Sequence, residues 1–184
     1  MMNVRRTSRR WTLVAVATVL GAALYAGTAD ATPATPMPGY VSSTLAMATF
    51  GPIDSHVVSN TTKPHWRETI KTKGSSDLYV QQNTWDPTAC GCVPTTGWHT
   101  HSGPSLVIVT QGTVTAYDGD DPSCTPHVYT AGTPNDSFVD PGDGHVHILR
   151  DESGAVAKTI AVQLLPSGAA RRQDVPVAPG NCPF

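Results

Sequence analysis

Five of the seven histidines in this 184-residue chain fall between His99 and His147, and four of them form two H-x-H pairs, His99/His101 and His145/His147. In an extended strand, residues two apart point to the same face. Each pair can therefore present two imidazoles on one side of a sheet. Neutral imidazole is a common ligand for zinc, iron, nickel and copper. One such pair is explained as well by two satisfied surface histidines. Two pairs, each beside a glycine-bearing turn, point to a metal site. His56, His65 and His127 are isolated and receive no role.

The other chemistry-bearing residues give weaker signals. No G-x-S-x-G sequence is present, so nothing supports a hydrolase of that kind. The acidic run at residues 118–121 lacks the glycine and glutamate spacing of a helix–loop–helix calcium site and reads as a hairpin turn. Tyr79, Gln81 and Gln163 are candidate substrate contacts if they face inward, with ordinary strand packing as the simpler reading. Arg171 and Arg172 offer a carboxylate partner, but a solvated C-terminal segment accounts for them equally well.

The elements that must position the histidines are strands. Short apolar or alternating runs rich in β-branched and aromatic residues cover 68–73, 78–85, 106–110, 113–117, 127–129, 138–139, 145–149 and 158–165. Gly, Pro and Asp clusters separate them, which is the pattern of strands and turns. There are no repeats and no helical heptads. Many short strands with little helix predict a sandwich or barrel. Residues 32–64 are weakly patterned and are expected to begin as a flexible tail and then lay an outer strand or loop along the barrel.

On these residues the chain resembles the cupin superfamily. The first cupin motif runs G-x5-H-x-H-x3,4-E-x6-G. Here Gly97-Trp98-His99-Thr100-His101-Ser102-Gly103-Pro104-Ser105 is followed by six residues and then Gly112. Both histidines and the closing glycine are in register, the leading glycine is displaced, and Ser105 stands where the family has its glutamate ligand. The second motif, P-x-G-x2-H-x3-N, matches Gly142-Asp143-Gly144-His145-Val146-His147 followed by Asp151, with His147 in the ligand place. More narrowly the chain is similar to small secreted single-domain cupins of actinobacteria, through Tyr117-Asp118-Gly119-Asp120-Asp121 and Pro179-Gly180-Asn181-Cys182-Pro183-Phe184 besides the motifs. That group implies no function.

The resemblance implies an all-β fold, a cupin-type β-barrel (double-stranded β-helix or jelly roll), at residues 67–184, after an N-terminal extension at 32–66. It implies a divalent first-row metal ion (Fe, Mn, Zn or Ni) on His99, His101 and His147, with His145 as a fourth ligand or an outer neighbour. With serine in place of glutamate the ligand set resembles the three-histidine site of some iron-dependent cupin oxygenases. It would leave the ion its full charge and open positions for an anion or hydroxide. The implied activity is a non-haem metal-dependent oxidoreductase of dioxygenase type acting on a small molecule. Two other readings stay open: a non-catalytic binder whose metal is structural, weak or absent, and a cupin isomerase or sugar-binding protein. Exposed sheet edges would allow a homodimer.

Residues 1–31 read as a signal peptide. Arg5, Arg6, Arg9 and Arg10 precede an apolar run from Trp11 to Tyr25, and Ala29-Asp30-Ala31 supplies a small-x-small cleavage site. Ser8-Arg9-Arg10-Trp11-Thr12-Leu13 partly matches a twin-arginine signal. The expectation is a secreted protein with no membrane segment after cleavage. The net charge of −2 includes the four leader arginines, so the mature part is acidic, without a basic patch for nucleic acid. Cys90, Cys92, Cys124 and Cys182 predict two disulfides in an oxidising compartment. A Cys90–Cys92 bond would close a tight ring, so each of that pair is expected to bond Cys124 or Cys182. A zinc site on Cys90-Gly91-Cys92 is the alternative, on a spacing narrower than usual.

Overall fold

The computed structural model describes residues 37–59 and 66–184; the signal peptide and its cleavage site lie outside the described residues. The alternation read in the sequence becomes two facing antiparallel sheets. Strand β6 (Ser105–Gln111) buries Ser105, Val107 and Val109 and exposes Leu106 and Ile108. Strand β11 (Ala157–Pro166) buries Ala157, Thr159, Ala161, Gln163 and Leu165. Period-two burial of this kind fixes which face looks inward.

The first sheet runs β1 (Tyr40–Phe50), β4 (Ser76–Trp85), β11, β6, β9 (Ser137–Asp140). The second runs β12 (Gln173–Asp174), β5 (His99–Thr100), β10 (His147–Arg150), β7 (Thr113–Asp118), β8 (His127–Thr130). A separate hairpin joins β2 (Asp54–Ser59) and β3 (Trp66–Lys71). Strand β1 lies within the stretch expected to be an N-terminal extension. It pairs along the whole of β4, from Tyr40 opposite Trp85 to Phe50 opposite Ser76, with a bulge at Leu45. The barrel sheet therefore begins at Tyr40.

Between the sheets, Trp85, Val109 and Ala157 meet Val114, Ala116 and Leu149. Burial of the large rings and aliphatic groups, about 1.5–3 kcal/mol each, holds the sheets together. The second sheet is also covered behind. Tyr117 and Ile148 point away from the barrel and pack on Trp98 and Cys182. Phe184 closes this layer, 5.0 Å from the Tyr117 ring and with the Arg150 guanidinium 3.7 Å over its face. This second layer explains why burial runs continuously along β7 and β10 rather than alternating.

The disulfides are Cys90–Cys92 and Cys124–Cys182, which corrects the expected cross-links between the two pairs. Local backbone geometry overcomes the ring-strain objection. Asp86 caps the single turn α1 (Pro87–Cys90), and Gly91 adopts φ +60°, bringing the Cys90 and Cys92 Cα atoms to 5.1 Å. That separation is ordinary for a disulfide. Only glycine takes this left-handed conformation without steric cost. Cys124 is held beside the tail because the Asn181 side-chain amide donates to the Asp118 and Asp121 carbonyls. The acidic run is a turn, with the Asp121 carboxylate accepting from the Ser123 and Thr125 amides.

Candidate metal centre

The two H-x-H pairs meet because β5 and β10 are neighbours: His147 lies directly opposite His99 in the ladder. Their rings are 4.3 Å apart, and His101, just past the end of β5, is 4.8 Å from His99 and 5.3 Å from His147. One nitrogen from each of these three histidines lies within 4.8 Å of the other two. All three side chains are buried.

Backbone carbonyls orient the rings. His99 Nδ1 is 2.9 Å from the Gly97 carbonyl oxygen, His101 Nδ1 is 2.7 Å from that of Arg171, and His147 Nδ1 is 3.3 Å from that of His145. A carbonyl only accepts, so each Nδ1 must donate, and each Nε2 presents a lone pair to the shared space. For His101 there is a rival contact from the Gln163 amide nitrogen at 3.2 Å. The shorter carbonyl contact decides it, since two donors cannot bond each other. Burial keeps the rings neutral. It pushes His99 well below the usual histidine range, helped by His147, and lowers His147 too. Burial, reinforced by the charge of His147, lowers His101 to about 4. Three neutral imidazoles with converging lone pairs fit a divalent metal.

Ser105 faces into the barrel beside them, as the motif spacing requires, and Leu106 faces out. The Ser105 hydroxyl accepts a hydrogen bond from the Gln163 amide at 3.0 Å, and the Gln163 carbonyl accepts one from Arg171 at 3.2 Å. Gln81, Gln163, Arg171 and Arg172 therefore line the interior cavity, whereas Tyr79 does not. The arginines are not a solvated tail: Arg172 donates to the Thr96 carbonyl, and their segment buttresses the first histidine motif through the Arg171 carbonyl.

His145 stacks on His147 at 5.7 Å but stands outside the three-histidine group. Its Nδ1 is 3.3 Å from Asp140 Oδ1 and its Nε2 is 3.4 Å from Asp118 Oδ1. Asp140 is the residue the sequence did not single out. It is 4 % exposed, lies opposite Ser105 in the ladder, and brings Oδ2 to 3.6 Å from His101 Nε2. A carboxylate thus borders the three histidines. The signal that would have found it is the missing glutamate itself, which invites a search for an acid at the end of an adjoining strand. Glycines let the loops beneath it close. Gly142, at φ +69°, packs on the backbone of Gly103, and a Cβ at Gly103 would meet the Leu164 carbonyl, so neither position has room for a side chain.

The interior cavity measures about 40 Å³, room for an ion and a few small atoms. A wider cleft of about 260 Å³ adjoins it, lined by Ala116, Asp118, His127, Tyr129 and His145, and sharing Phe138, Asp140 and His147 with the interior.

No protein-family model and no curated protein sequence matches the chain. Among solved structures it is similar to an oxalate oxidase in complex with the substrate analogue glycolate, at 18 % identity over 54 % of this chain and 46 % of that one, with a TM-score of 0.42. The chain thus spans less than half of that enzyme's chain. It is also similar to a cupin domain from Bordetella pertussis, at 15 % identity over 70 % of this chain and 95 % of that one, TM-score 0.42. The polyketide cyclase RemF from Streptomyces resistomycificus gives 15 % identity over 55 % and 64 %, TM-score 0.41. With two facing antiparallel sheets, and both histidine motifs meeting at one end of them, the chain folds as a cupin-type β-barrel.

Proposed function

We propose that this protein is an exported metal-binding cupin in which His99, His101 and His147 hold a divalent first-row ion, and that it works as a non-haem oxidoreductase of dioxygenase type on a small molecule. The observation that carries the reading is the set of three buried imidazoles with every Nδ1 committed to a carbonyl and every Nε2 left for a shared ion. When bound, such an ion supplies Lewis acidity and open positions for small reactants. The protein's own residues do the rest. The rings are locked before the ion arrives, the narrow interior admits only small atoms beside it, and the adjoining cleft offers Tyr129 and Phe138 as an aromatic wall for an organic substrate. The His145 imidazole, between Asp118 and Asp140, is placed to hold or pass a proton at the junction of cleft and interior. Two disulfides support export to an oxidising compartment, and no described helix is long and apolar enough to cross a membrane.

Metal analysis of protein recovered from the exported fraction, followed by oxygen-uptake assays with phenols and diketones, tests this. About one metal ion per chain and metal-dependent oxygen uptake are expected. A loaded protein that consumes no oxygen with any of them would favour a second reading, a ligand-binding cupin with a structural metal. The narrow interior, filled by Gln81 and Gln163, is what supports that alternative.

A further inference from the structure

We infer that Asp140 supplies the carboxylate ligand of this site, so that the acid has moved from β6, where Ser105 replaces it, to the neighbouring strand β9. The inference rests on the metal reading above and deepens it. In the ladder Ser105 faces Asp140 on one side and Gln163 on the other. A carboxylate at residue 140 therefore reaches the same end of the barrel as one at residue 105 would, from one strand further along.

The two oxygens of Asp140 are treated differently. Oδ1 is anchored, accepting from the Gly142 amide at 3.1 Å and lying 3.3 Å from His145 Nδ1. Oδ2 is buried and has no hydrogen-bond partner. Its nearest polar neighbour among the recorded ion pairs is His101 Nε2 at 3.6 Å, the nitrogen whose lone pair points into the site. Buried carboxylate oxygens without partners also occur, among the described residues, on Glu68 and Asp151, but neither belongs to a group that could hold a metal. A buried carboxylate oxygen facing a lone pair is costly unless a cation lies between them.

The distance separates the two cations available. A proton shared as a charge-assisted hydrogen bond would draw the atoms to about 2.7–2.9 Å. Two ligands of one ion, each roughly 2.1 Å from it, stand about 3.0–3.6 Å apart at ordinary coordination angles. The observed 3.6 Å is too long for the first case and lies at the upper end of the second. Asp140 lies outside the three-histidine group itself but joins His145 and His147 in a second cluster of metal-competent atoms, and His147 is common to both.

The test is titration of the metal-free full chain with Co(II), read by affinity and by visible absorption. The parent is compared with Asp140→Asn, with Asp140→Ser, and with Asp140→Ser combined with Ser105→Glu. Asp140→Asn should lose more affinity than the roughly 10–100-fold that removing an outer neighbour costs, and its absorption bands should change. The combined variant, which returns the acid to β6, should bind at least about tenfold more tightly than Asp140→Ser alone, since a restored ligand recovers more than an outer contact supplies. Parent-like affinity and spectrum in Asp140→Asn would overturn the assignment, as would a weakened Asp140→Asn that Ser105→Glu cannot rescue in the serine variant. Should the variants fail to fold, infrared difference spectra of the parent, with and without 13C-labelled aspartate, decide it. A metal-induced shift of a labelled carboxylate band is expected, and its absence refutes the role. A parent that binds no Co(II) would instead sink the metal reading itself.

Discussion

Acidifying the metal-free protein should destabilise it in a pH range set by its buried histidines. His101 is 7 % exposed and its pKa falls from 6.5 to about 4, first because burial penalises the imidazolium and then because His147 would add a second positive charge. The unfolded chain takes up this proton near pH 6.5, whereas the native site takes it up only near pH 4. Between those values the unfolded state binds more protons, so stability rises with pH and is lost on acidification. A displacement of that size corresponds to about 3 kcal/mol from His101. His99 and His147 are lowered as well and act in the same direction. Asp77, Asp86 and Asp121 are lowered by their hydrogen bonds, so their contribution disappears only below the ordinary carboxylate value of 3.8. The two sets of groups therefore act in different pH ranges.

The assay is urea unfolding of chelator-treated protein, disulfides intact, at half-unit steps from pH 7 to pH 4. With a urea slope of about 1–3 kcal/mol/M, a loss of about 3 kcal/mol lowers the midpoint by roughly 1–3 M. His101→Gln, which cannot titrate, should flatten the dependence. A midpoint constant from pH 6.5 to 4.5, or an equal slope in His101→Gln, would refute the argument that burial of the imidazoles is what destabilises the metal-free barrel in acid.

Three further outcomes are expected. His99→Ala combined with His101→Ala should abolish stoichiometric metal binding while circular dichroism still reports a folded barrel, and unchanged metal content would remove the site assignment. Replacing Cys124 and Cys182 by serine should cost about 4 kcal/mol on the chain-entropy model, given their separation of 58 residues, whereas the same change at Cys90 and Cys92, two residues apart, should cost about 1 kcal/mol; peptide mapping without reductant checks the pairing, and equal losses would contradict the model. Ser105→Glu in the otherwise native chain should lower the melting temperature without metal, by setting a second buried carboxylate opposite Asp140, and enlarge the stabilisation that divalent metal gives; a variant that behaves like its parent in both states would mean that residue 105 does not share the site.

Much of the barrel was legible because its inner strands obey one rule at a time. Strands β6 and β11 alternate cleanly, and the pairing of β5 with β10 is enough to bring His99, His101 and His147 together. Strand β1 was harder to see. Its sequence, with Ser42, Ser43, Thr44 and Thr49 scattered among apolar residues, carries little contrast between faces, and the bulge at Leu45 shifts the period midway. The β2–β3 hairpin exposes Val57, Val58, Trp66 and Ile70, so burial imposes no pattern on it. The disulfides were misjudged because a spacing of two residues says nothing about the left-handed turn that Gly91 permits.

Asp140 was hidden for a different reason. Its neighbours in sequence, Val139 and Pro141, say strand end and turn, and it stands just ahead of the second histidine motif with no spacing that ties it to His99 or His101. What brings it to them is the pairing of β6 with β9, which sets residue 140 opposite residue 105 across 35 positions of chain. A motif records ligands that share a strand or a turn, because their spacing is fixed locally. A ligand delivered by a neighbouring strand is fixed by register, and register belongs to the folded sheet. The serine at residue 105 was therefore only half of a signal. Read alone it suggested a site without a carboxylate, and only the ladder shows an acid standing one strand away from the place the serine vacated.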